Sequence, residues 1–104
     1  MTEPIVSELL VKEPDFFDLV SVFAGKLPEL VEELQTLYDQ GRWETLQDRI
    51  HDLKGLGGGY GYPQLSDVAN SIELVLLSKS PEQIPDQVNQ LRMLTQRIQV
   101  GLGA

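Results

Sequence analysis

Residues 50–63 read Ile50-His51-Asp52-Leu53-Lys54-Gly55-Leu56-Gly57-Gly58-Gly59-Tyr60-Gly61-Tyr62-Pro63, with the chain's single histidine near one end and a proline at the other. Five of the seven residues from Gly55 to Gly61 are glycine. A glycine inside a helix costs roughly 1 kcal/mol relative to alanine. Yet the apolar spacing through this stretch is helical: Trp43, Leu46, Ile50, Leu53, Gly57 and Tyr60 step by three and four residues. His51 directly follows Ile50, so it is turned about 100° from the buried line and belongs on the rim of its helix. Lys54, Gly55 and Gly58 lie three, four and seven residues further on and share that face. The face is therefore an imidazole, an ammonium and two positions without side chains. A cation one turn from an imidazole makes sense where the ring carries negative charge part of the time. The bare positions would let a second protein come close to the ring.

Outward from this stretch, the pattern stays helical. Before it, Phe16, Val20, Phe23, Leu27, Leu30, Leu34 and Leu37 form a stripe that ends at Gly41 and contains Pro28, where a kink or local opening is expected. A shorter helical piece is expected at about residues 5–11, ahead of Pro14. After it, Pro63 suits a first helical turn and precedes Leu65, Val68, Ala69, Ile72, Val75 and Leu76. Beyond Lys79-Ser80-Pro81 come Ile84, Val88, Leu91, Leu94, Ile98 and Leu102. No stretch alternates with period two. Long helices with short connections predict an all-α fold: an antiparallel four-helix bundle with a short additional N-terminal helix, as a single domain over 1–104. Trp43, Phe16, Phe17 and Phe23 are expected in the core or at its rim.

The bulk properties narrow the function. The chain has 104 residues, a net charge of −8 and no cysteine, which excludes disulfides, thiolate metal sites and cysteine nucleophiles. Residues 1–40 hold nine acids and two lysines, whereas residues 41–80 hold five acids and four bases. Nucleic acid and anionic membrane both need a basic footprint and are not expected as partners. The start of the chain lacks a cationic region followed by an apolar run, and the longest apolar run, Leu74–Leu77, is far too short to span a bilayer. A cytoplasmic monomer is the expectation. The glycine run matches neither phosphate-loop pattern and follows no strand. One histidine with Asp48 and Asp52 nearby falls short of a metal site, and no nucleophile–base pair points to a hydrolase.

The stretch His51-Asp52-Leu53-Lys54-Gly55, with Gly61, Leu65, Ala69, Ile72 and Glu73, resembles the histidine-containing phosphotransfer family, whose pattern is approximately H-x-L-K-G, a glycine six residues later, then L-x-x-x-small-x-x-L-E. Phe23, Leu27 and Pro28 also look like that family. This chain departs from it at Gly57-Gly58-Gly59, where serine or alanine is more usual. The resemblance implies a phosphoryl carrier of two-component phosphorelays, without cofactor, metal or kinase machinery of its own. Its partners would be response-regulator receiver domains, with a hybrid histidine kinase as a further candidate. It implies that His51 is phosphorylated, that Lys54 neighbours the phosphate, that Gly55 and Gly58 give clearance to the partner, and that Glu73 orients the ring. The alternative is an unphosphorylated helical module that docks a partner through the same glycine-rich face.

Counting alone supports part of the Glu73 assignment. In an antiparallel hairpin turning at Tyr62, His51 and Glu73 are each eleven residues from the turn and so lie at equal height, roughly 16 Å up their helices. Each follows a stripe residue, Ile50 or Ile72, so the pair leans together into the groove or together away from it. The hand of the hairpin is open at this level, and the resemblance implies convergence.

Overall fold

The computed structural model describes residues 3–103; Met1, Thr2 and Ala104, the outer ends of the expected domain, lie outside the described residues. Five α-helices follow one another: α1 (Glu8–Lys12), α2 (Phe17–Asp39), α3 (Trp43–Gly59), α4 (Pro63–Leu77) and α5 (Ile84–Gly101). Single 3₁₀ turns at Pro14–Phe16 and Pro81–Gln83 lead into α2 and α5. No strand occurs among the described residues. The helices α2 to α5 form the four-helix bundle, with α3 packed most closely on α4 and α2 on α5.

Three of the long helices stop in the same way. At Gly41, Arg42 N–H donates to Leu37 O and Gly41 N–H to Tyr38 O. At Gly61, Tyr62 N–H donates to Gly57 O and Gly61 N–H to Gly58 O. Both are paired six-to-one and five-to-two closures around a left-handed residue, with φ of +68° at Gly41 and +86° at Gly61. The same closure ends α4, where Ser80 N–H donates to Val75 O and Lys79 N–H to Leu76 O. There the left-handed position is Lys79, with φ of +58°.

The core follows the expected stripes but is wider. On α2, Ala24 and Val31 are buried beside Val20, Phe23, Leu27, Leu34 and Leu37, whereas Leu30 is only half-buried. A helix that packs on both α3 and α5 needs a broad apolar arc rather than a narrow seam. On α5, Thr95 takes a core position, and its hydroxyl is satisfied by donating to Leu91 O at 2.9 Å. Phe23 stacks on Tyr60 with ring centroids 4.4 Å apart and lies 6.4 Å from the ring of Tyr62. Tyr62 is fully buried beneath the α3–α4 turn, and burial raises the pKa of its hydroxyl.

Two expectations need correction. Of the four aromatic residues assigned to the core or its rim, only Phe23 is buried; Phe16, Phe17 and Trp43 are 40%, 48% and 43% exposed. Phe16 lies in the 3₁₀ turn before α2, out of phase with the helical stripe, and Trp43 stands at the first residue of α3 with its ring edge-on to Tyr38. The N-terminal helix starts at Glu8, three residues late, because Ser7 caps it: the Ser7 hydroxyl accepts from Leu10 N–H. Ile5 is instead buried in chain outside any helix, with its N–H donating to Arg97 O. Pro28 lies inside α2, which runs on as one helix to Asp39.

Candidate functional site

The α3–α4 pair brings His51 and Glu73 together. His51 Nδ1 lies 3.1 Å from Glu73 Oε2, and Lys54 Nζ lies 3.1 Å from Glu73 Oε1. The histidine side chain is 73% exposed, while that of Glu73 is only 16% exposed, so an exposed ring is backed by a tucked-in carboxylate. The hydrogen bond from Lys54, then that from His51, holds the Glu73 carboxyl below its ordinary pKa, against the opposing pull of burial. An ionised carboxylate only accepts hydrogen bonds, so Nδ1 must carry the proton facing it. In the neutral ring that leaves the lone pair on Nε2, the nitrogen away from the carboxylate.

Lys54 thus has a role in the resting molecule that the sequence did not suggest. Its ammonium faces Glu73, so the cation beside the imidazole is balanced by the carboxylate that both share.

The two glycines of this face differ. At Gly55 an added Cβ would meet nothing within 4 Å, and this position, with His51, Asp52 and Leu56, lines a shallow concavity. At Gly58 a Cβ would stand 3.3 Å from Ser66 Oγ, so its neighbour on α4 would have to give a little. Gly57 is buried and tighter still: its Cβ would lie 2.9 Å from Leu65 Cβ and 3.1 Å from Ser66 N and Oγ. Gly59 is exposed and free of close neighbours.

Gly61 is required twice over. Its φ is left-handed, and the start of α1 lies directly on it: Glu8 N–H donates to Gly61 O at 2.8 Å and the Ser7 hydroxyl to Tyr60 O at 2.6 Å. Any side chain there would run into the backbone of Glu8 and Leu9.

Sequence reasoning missed Ser66. Its hydroxyl donates to Lys54 O at 2.5 Å across the α3–α4 interface. The count that paired His51 with Glu73 would have found it, because Gly58 and Ser66 are each four residues from Tyr62. Among the described residues, no group of three or more His, Asp or Glu side chains could hold a metal ion, and no helix is long and apolar enough to cross a membrane.

Comparison with known proteins identifies the family. No curated protein and no solved structure matched the chain. The family model for the Hpt domain matches residues 18–101, a span that runs from the first turn of α2 to the end of α5 and includes His51, Lys54 and Glu73. Hpt domains are helical bundles that act as phosphocarriers in two-component phosphorelays, and this chain belongs to the Hpt domain family.

Proposed function

We propose that the protein carries phosphoryl groups on His51, taking one from the phosphoaspartate of a receiver domain and giving it to the aspartate of another. The observation that carries this reading is the 3.1 Å contact between His51 Nδ1 and Glu73, which leaves Nε2 as an outward lone pair on a largely exposed ring. In the transfer step, that lone pair attacks phosphorus, the P–N bond forms, and the bond from phosphorus to the aspartyl oxygen breaks. The carboxylate of the donor aspartate leaves with its electron pair. No proton needs to move, because Nδ1 keeps its hydrogen. The phosphorylated ring then bears a formal positive charge, which Glu73 offsets at 3.1 Å. Lys54, one turn along, keeps Glu73 ionised and lends positive charge near the phosphoryl oxygens.

The protein contributes a nucleophile and its orientation rather than kinase chemistry; Mg²⁺ and the acidic pocket would belong to the receiver. The receiver would approach over the outer face of α3, where Gly55 is bare and Leu56 is 47% exposed. A hybrid histidine kinase would be the more distant source of the phosphoryl group, and the cytoplasm is the compartment in which such partners meet. The test is to incubate the protein with a panel of radiolabelled phosphoreceivers. Acid-labile label is expected on the wild type and none on His51→Gln, with the melting temperature nearly unchanged because the ring is exposed. Label retained by His51→Gln would overturn the assignment.

A further inference from the structure

Lys54 is attached to α4 at both ends. Its ammonium meets Glu73, and its carbonyl accepts the Ser66 hydroxyl at 2.5 Å. A helical carbonyl has a second lone pair, so this bond across the interface need not displace the one along the helix. Among the described residues, the side-chain hydrogen bonds between α3 and α4 are those from Ser66, His51 and Lys54. Two of these three join ionisable groups, and one of those two involves the ring whose charge changes during phosphoryl transfer. The Ser66 bond does not.

Its setting is built for contact. Ser66 fits against the bare backbone of Gly57 and Gly58, whose added Cβ atoms would stand 3.1 Å and 3.3 Å from its oxygen. On α4, Ser66 and Glu73 are seven residues apart, so they share a face about two turns, or roughly 10 Å, from each other. Sliding α4 along α3 by one residue moves it about 1.5 Å, enough to carry the Glu73 contacts beyond hydrogen-bond range.

We propose that Ser66 is a positioning residue for phosphoryl transfer: by fixing α4 against the Lys54 carbonyl it sets the register that brings Glu73 to Nδ1 of His51. This rests on the phosphotransfer reading for its effect on rate, but its effect on the ring can be read without any transfer. The glycine pair at 57 and 58 is then the notch that admits the hydroxyl, which accounts for two glycines inside the helix.

The test is nitrogen NMR of the His51 ring at about pH 8.5, where imidazole is ordinarily neutral, in wild type, Ser66→Ala and Ser71→Ala. Ser71 is the control, since its hydroxyl donates to Asp67 O within α4 and does not reach α3. Wild type and Ser71→Ala are expected to show mainly the Nδ1–H tautomer, and Ser66→Ala to shift towards the mixture of free imidazole. Its melting temperature should fall by no more than about 5 °C, as for one lost hydrogen bond. Transfer from a phosphoreceiver should slow by up to about tenfold, short of the hundredfold that a 1 Å misplacement can cause. A tautomer balance in Ser66→Ala equal to wild type would overturn the proposal, as would equal shifts in both variants. Should the wild type accept no phosphoryl group, the proposed function fails while the tautomer result still decides the role of Ser66.

Discussion

At Glu73 one carboxylate meets an ammonium with one oxygen and an imidazole with the other, and both hydrogen bonds favour its ionised form. The folded-state pKa is therefore depressed, with Lys54 the larger cause. A depressed carboxyl stabilises the folded protein fully above the ordinary carboxylate range and loses that contribution as pH falls through the folded value. The stability difference between wild type and Glu73→Gln should thus stay level from neutral pH down to that range and shrink below it. Carbon NMR of the Glu73 carboxyl should give a midpoint below that of an ordinary glutamate, and Lys54→Ala should move it upward. A midpoint unmoved by that substitution would remove Lys54 as the group that keeps Glu73 ionised. At this scale the sequence was informative about His51, because one imidazole beside a stripe residue has a definable orientation. It could not show that Lys54 is shared with Glu73, since that depends on which way the hairpin closes.

Along the helices, the glycines of α3 separate by what lies opposite them. Gly55 faces open space, so Gly55→Gln should leave stability level or raise it by up to about 0.5 kcal/mol, the usual gain on replacing a helix-interior glycine. Gly58→Gln should gain less or lose, because the Ser66 hydroxyl must move aside. Both substitutions should slow transfer from a receiver by crowding its approach; melting curves and transfer rates, measured together, check this. Transfer equal to wild type in Gly55→Gln would refute the clearance role. The end of α4 offers an independent test of the helix closures. Lys79 holds the left-handed position that glycine fills at 41 and 61, so Lys79→Gly should stabilise the protein by about 0.5–1 kcal/mol in a denaturant titration. The helices themselves were legible because their apolar residues recur every three or four positions between glycine and proline stops. The non-helical run at Ile5 was not. Its bond to Arg97 O joins residues 92 apart in sequence and leaves no periodic trace.

Across the whole molecule, the acidic half of α2 is tied to both neighbours. Glu33 pairs with Arg49 of α3 at 3.0 Å, and Glu32 with Arg92 of α5 at 2.8 Å. These pairs are exposed and contribute about 0–1 kcal/mol each, so the buried apolar arcs of α2 to α5 hold the bundle together. What the bundle then provides is a rigid wall behind one imidazole: α4 supplies the carboxylate, α3 the ring and the bare approach. The excess acid lies in residues 1–40, mostly on α2, leaving residues 41–80 nearly balanced in charge, as the proposed approach of a receiver's acidic pocket would require. The most direct test of this account is the identity of the phosphorylated atom. After transfer from a phosphoreceiver to protein labelled with ¹⁵N in histidine, phosphorus–nitrogen coupling should place the phosphoryl group on Nε2 of His51, with Nδ1 still protonated. A phosphoryl group on Nδ1, on any other residue, or none at all would contradict it.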